Sequence, residues 1–135
     1  MAIPQSAHAP QRRHGPQTHI AVLGASNDPA KYGNIIVKNL LRHGYTVLPV
    51  HPSEPTIAGL PAHARVADIG GRLDIVNVVV PPKVTLRLID ELDAQQFDTL
   101  WLQPGSFDDA VVAAANAKFS RVVVGDCIMV VANWP

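Results

Sequence analysis

Residues 20–33, IAVLGASNDPAKYG, constrain the fold more than any other part of the chain. Ile20, Ala21, Val22 and Leu23 make an apolar run short enough for a strand buried on both faces, and a Gly-Ala-Ser turn separates it from a helical pattern rich in Ile and Leu. Gly24 permits the backbone to turn sharply. A helix that opens directly after such a turn offers unpaired amide N–H groups and the positive end of its dipole. An anionic nucleotide fits that geometry. Ser26 adds a hydroxyl donor, and Lys31, seven residues past Gly24, adds a cationic point charge. Taken alone, the same residues also fit an ordinary strand-to-helix turn with a surface lysine.

The pattern continues along the chain. A strand at 19–23, a helix near 33–43 closed by Gly44, and a strand at 46–49 make a βαβ unit. Residues 51–72, rich in Pro, Gly and Ala, read as loop with at most a short helix around 62–68. Residues 73–80, LDIVNVVV, read as a central strand stopped by Pro81 and Pro82. A helix over 84–94 follows, with Val84, Leu88 and Leu92 as its apolar stripe. A strand at 99–102 precedes a helix over 111–119, for which Ser106 and Asp109 have capping-box spacing, and 121–124 supplies a fifth strand. The expected fold is α/β: a single Rossmann-like domain over 19–135, with a mostly parallel five-stranded sheet and helices on both faces.

Composition narrows the function classes. A chain of 135 residues, 47% hydrophobic and 16% charged, suits one domain with a real core. Eleven Lys and Arg balance eleven Asp and Glu, so net charge advertises neither a nucleic-acid nor a membrane surface. The distribution is uneven: residues 19–53 hold Lys31, Lys38 and Arg42 against Asp28 alone, which places the positive side at the Gly-Ala-Ser turn. One cysteine, Cys127, excludes an intramolecular disulfide and a multi-thiolate zinc site, and the six histidines lack metal-ligand spacing. Cys127 reads as a small buried apolar residue, and Trp101 and Trp134 as packing residues. Residues 1–18, MAIPQSAHAPQRRHGPQT, lack the apolar middle of a secretory signal and read as a disordered or loosely draped arm. With no apolar run near membrane-span length, the expected location is cytoplasmic.

In a parallel sheet, ligands bind outside the carboxyl ends of the strands. A nicotinamide dinucleotide fold usually shows G-x-G-x-x-G in the first turn and an acid after the second strand. Here the first turn reads Gly24-Ala25-Ser26-Asn27-Asp28-Pro29 and the second strand ends Val50-His51-Pro52, with Glu54 the nearest acid. No second group is placed to orient His51 as a general base, and no nucleophile, acid/base pair or metal cluster is legible. An NAD(P)-binding oxidoreductase or redox-sensing domain stays open as one alternative, and a protein-interaction scaffold with a vestigial pocket as another.

The runs GASNDPAKYG, GYTVLPVHP, LDIVNVVVPP, LWLQPGSF and VVVGDCI, in that order, resemble the stand-alone coenzyme A binding proteins related to the CoA-binding domain of the succinyl-CoA synthetase α subunit. The likeness covers residues 18–130. It implies binding of coenzyme A or acyl-CoA by a non-catalytic carrier, sensor or accessory protein, with a homo-oligomer or an acyl-CoA-using enzyme as protein partner. Gly24, Ala25, Ser26, Asn27, Lys31 and Tyr32 would line the phosphate pocket, with Gly33 allowing close approach. Val50, His51 and Pro52 would lie beside the adenosine, Val80, Pro81 and Pro82 beside the adenine or upper pantetheine, and Gln103, Pro104 and Gly105 beside the pantetheine. Cys127 matches a family cysteine, but Gly125-Asp126 stands where an Asp-Arg or Asn-Arg pair often precedes it. The diphosphate suits the helix N-terminus with Lys31, and Lys38, Arg42 or His51 would serve the 3′-phosphate. An acid at 49–52 would repel that phosphate, and none is present.

Overall fold

A computed structural model describes residues 17–132. β1 (His19–Leu23) leads through the Gly-Ala-Ser turn into α1 (Tyr32–Arg42) and back to β2 (Thr46–Val50). At the end of α1 the Gly44 N–H donates to the Leu41 carbonyl and the Tyr45 N–H to the Leu40 carbonyl, a paired stop that carries Tyr45 into the core beside Leu40. A hairpin of β3 (Thr56–Ile57) and β4 (Leu60–Pro61) follows, then one 3-10 turn at Val66–Asp68. The chain closes with β5 (Leu73–Val78), α2 (Pro82–Ile89), β6 (Phe97–Leu102), α3 (Asp109–Lys118), β7 (Val122–Val124) and α4 (Ile128–Ala132).

Five strands form one parallel sheet in the order β2-β1-β5-β6-β7. Ala21, Leu23, Val76, Val78, Leu100 and Leu102 pack on one face with Ile89 and Leu92 from the α2 side and Val111 and Ala115 of α3. Ile20, Val22, Ile75 and Trp101 pack on the other with Ile36, Val37 and Leu40 of α1 and Ile128 of α4. Neighbouring residues of one strand therefore feed opposite cores, which is why these strands read as continuous apolar runs. Each fully buried aliphatic side chain stabilises the fold by roughly 1.5–3 kcal/mol before chain entropy is counted against it.

The Rossmann-like α/β class holds, and several local expectations are corrected. Residues 51–72 contain the β3–β4 hairpin, whose two-residue strands are too short for a periodic signal. β5 ends at Val78, two residues short of the expected 80 and before the prolines, and Pro82 is the first residue of α2, where a missing N–H costs nothing. The same helix stops at Ile89, short of the expected 94, and the Lys118 ammonium donates to the Ile89 and Asp90 carbonyls at its end. α3 is capped by the Asp108 carboxylate, which accepts the Val111 N–H at 2.9 Å. Ser106 is instead buried, its hydroxyl donating to the Gln103 carbonyl at 2.7 Å. α4 was not expected at all. Thr18, assigned to the arm, is fully buried and its carbonyl accepts the Thr46 N–H. Residues 1–16 of that arm and Trp134 lie outside the described residues, whereas Trp101 is buried. No described helix is long and apolar enough to cross a membrane.

Candidate functional site

The chain leaves β1 to build β2 on one side, then crosses to build β5 on the other. The strand order thus reverses between β1 and β5, and the carboxyl ends of strands at such a point are where open α/β sheets bind ligands. Gly24 follows β1 at this edge, with φ +105° and its N–H donating to the Val50 carbonyl at 3.2 Å. A Cβ there would meet Val80 Cγ1 at 2.8 Å. Packing is closer still at Gly33, where a Cβ would lie 2.1 Å from the Gly24 carbonyl oxygen. Two glycines thus seat the first turn of α1 directly on the Gly-Ala-Ser turn.

The start of α1 lacks a side-chain cap. Its N-cap is Lys31, which makes no side-chain capping bond, and no acid occupies the first turn. Lys31 and Tyr32 are exposed. Residues 26–31 are ordered by their own bonds: Ser26 Oγ accepts the Asp28 N–H at 3.0 Å, Asp28 Oδ1 accepts the Ala30 N–H at 2.9 Å, and the Asp28 carbonyl accepts the Lys31 N–H. Buried Asn34 donates to the Ser26 carbonyl at 3.0 Å. Among the described residues the Ser26 hydroxyl donates to no acceptor. Asn27 is turned the other way, donating to the Thr56 carbonyl at 2.9 Å and accepting the Ala58 N–H at 3.2 Å. Its carboxamide ties the hairpin to the turn.

After β2, Val50 is buried and Pro52 exposed. His51 Nδ1 accepts the N–H groups of both Ser53 and Glu54 at 3.0 Å, so its proton sits on Nε2 and that nitrogen is a donor. Lys38 and Arg42, the other expected partners of a 3′-phosphate, lie seven and eleven residues along from Lys31. At about 1.5 Å per residue they are roughly 10 and 16 Å down α1, toward the opposite edge of the sheet. After β5, Val80 is half-buried against Gly24, and Thr85 Oγ1 lies 3.2 Å from the Val80 carbonyl and 3.1 Å from that of Pro81. After β6, Pro104 and Gly105 are exposed, whereas Gln103 is buried.

Gln103 is the hub of an internal polar network. Its Oε1 accepts from Asn77 Nδ2 at 3.1 Å and from the Ile128 N–H at 2.7 Å, and its Nε2 donates to Cys127 Sγ at 3.5 Å. Asn77, fully buried near the carboxyl end of β5, has no described partner for Oδ1. Beside this network a cavity of about 150 Å³ is lined by Tyr32, Val79, Gln103, Pro104, Cys127 and Met129. Cys127 is only half-buried and lines that space, which corrects its reading as a buried apolar residue. Tyr32, expected beside the phosphate groups, thus shares one cavity with Gln103 and Pro104, expected beside the pantetheine, and with Val79 and Met129, which the sequence did not mark. Met129 follows Cys127 on α4, a helix of five residues with too little length to show a period. The loops at 24–27, 50–52 and 80–82 stand at the same sheet edge without lining the cavity. Among the described residues no group of three or more His, Cys, Asp and Glu could hold a metal ion.

A family model described as a CoA binding domain matches residues 18–133. The chain is 30% identical over 107 residues to an ADP-forming acetate–CoA ligase of Archaeoglobus fulgidus, covering 79% of this chain and 16% of the ligase. It therefore spans about a sixth of that relative's length. Of the solved structures, a conserved hypothetical protein from Pyrococcus furiosus is 41% identical with a TM-score of 0.77, the match covering 84% of this chain and 97% of that one. A Thermus thermophilus protein is 30% identical with a TM-score of 0.79, the match covering 93% of each chain.

Proposed function

The chain belongs to the family of CoA-binding domains, and from that premise we propose that it binds coenzyme A or an acyl-CoA as a carrier, sensor or accessory protein. The diphosphate sits on the first turn of α1, held by amide N–H groups, the Ser26 hydroxyl and the Lys31 ammonium. One observation carries this reading: the only N-cap of α1 is a lysine without a capping bond, and the helix opens against the phosphate turn with no acid in its first turn. An uncapped helix start beside a free ammonium is a charge arrangement suited to a diphosphate. The adenosine lies by Val50–Pro52, with His51 Nε2–H offered to the 3′-phosphate, and the pantetheine passes Val80–Pro82 toward Gln103–Gly105. The second loop favours CoA over NAD. No acid follows Val50 directly; the nearest, exposed Glu54, accepts from Asn27 Nδ2 at 3.4 Å.

Isothermal titration of CoA, dephospho-CoA and NAD tests the proposal. CoA should bind tightest, and Lys31→Ala should weaken it about tenfold, the loss of one charge-assisted contact of roughly 1.4 kcal/mol. An absence of heat with every CoA species would overturn it.

A further inference from the structure

We infer that the cavity beside Gln103 selects thioesters by charge, accepting CoA with an uncharged acyl group and rejecting one that ends in a carboxylate. The inference rests on the CoA reading above. Six residues line the cavity and none is cationic; the side chains among them that carry polar groups are Tyr32, Gln103 and Cys127. Gln103 Oε1 already accepts two bonds and its Nε2 already donates to Cys127 Sγ, so the carboxamide is largely taken up by Asn77, Ile128 and Cys127. Val79, Pro104 and Met129 supply apolar wall. Asp126, next to Cys127, is exposed and has no described side-chain partner, while its carbonyl is held by the Trp101 indole N–H at 2.7 Å. A fixed backbone thus keeps a carboxylate one residue from the cavity wall.

A space of about 150 Å³ holds a ligand of about six non-hydrogen atoms, the size of benzene. The thioester sulfur, its carbonyl and a short acyl tail have that size. A neutral tail exchanges water for Val79, Pro104 and Met129. A terminal carboxylate would lose hydration without gaining a cation from the lining, with the Asp126 charge only one residue along the chain from Cys127, and an unpaired ion transferred from water is strongly disfavoured.

The test compares thioesters matched in length. Titrations of the full chain with CoA, butyryl-CoA and succinyl-CoA should give butyryl-CoA within about threefold of CoA and succinyl-CoA at least about tenfold weaker than butyryl-CoA. Asp126→Arg should narrow the gap between the two thioesters to about threefold or less, and Asp126→Asn should narrow it part of the way. A thermal melt of each variant confirms that it is folded. Equal binding of succinyl-CoA and butyryl-CoA by the native chain would overturn the charge selection and leave CoA binding standing. No heat with CoA itself would overturn both. A gap unmoved in both folded Asp126 variants would remove Asp126 from the selection.

Discussion

A Cβ added at Gly33 would stand 2.1 Å from the Gly24 carbonyl oxygen and 3.2 Å from the Ala25 Cα. Both neighbours are backbone, so no rotamer change relieves the overlap. Only a shift of α1 away from β1 would do so, and that shift would open the core formed by Ile36, Val37 and Leu40. Gly33→Ala should therefore destabilise the protein by about 2–4 kcal/mol, in the range of overpacking that moves backbone. Gly70 is the control, since nothing lies within 4 Å of a Cβ built there. Gly70→Ala should stay within about 0.5 kcal/mol of the parent, helped by the smaller entropy of its unfolded chain. Urea unfolding of both variants measures the contrast. If the two proved equally stable, the close seating of α1 on the turn would be wrong. The same contact matters for function, because a displaced α1 would carry its N–H groups away from any bound phosphate.

At the scale of elements, α4 depends on side chains of β6 and of the loop that follows it more than on its own five residues. Gln103 Oε1 accepts the N–H of Ile128, the first residue of α4, and Trp101 holds the Asp126 carbonyl just before it. A helix this short does not persist in water without such fixtures. Gln103→Leu leaves the Asn77 carboxamide and the Ile128 N–H unpaired, and should cost about 2–3 kcal/mol. Hydrogen exchange should show the Ile128 amide losing protection while amides of β1 and β5 keep theirs. Uniform loss across the sheet would mean that Gln103 serves the whole fold and not this element. This dependence also explains what the sequence could and could not disclose. β1, β5 and β6 were legible because each is buried on both faces and reads as an unbroken apolar run. α1 was legible from the pairs Ile36–Leu40 and Val37–Leu41 and from Gly44. The hairpin and α4 were not, because a long-range bond such as Asn27 to Ala58 or Gln103 to Ile128 leaves no local period. For the same reason the Gln103–Pro104–Gly105 loop could be marked, but not the fact that its glutamine is bound inward.

For the molecule as a whole, the sheet joins two cores, and Tyr45 belongs to the one beneath α1, at 9% exposure. Burial disfavours the phenolate, so its pKa lies above the ordinary 10.0. The linkage has one sign. Below pH 10 the phenol is protonated in folded and unfolded chains alike, and its contribution is fully present. As pH rises past 10 the unfolded chain releases this proton while the folded chain retains it, so the unfolded state gains and stability falls until the folded-state pKa is also passed. Because both cores share β1 and β5, that local effect should appear in the global unfolding transition. Urea unfolding measured at several alkaline pH values should therefore show a steeper loss of stability above pH 10 in the parent than in Tyr45→Phe. The variant also loses the hydroxyl's contacts, but that loss offsets its curve without changing the slope. Tyrosinate absorbance identifies the group, since the component that Tyr45→Phe removes should titrate above the ordinary 10.0, where unfolding can accompany it. Parallel slopes in parent and variant would show that the phenol at position 45 is not shielded from water by the α1 core.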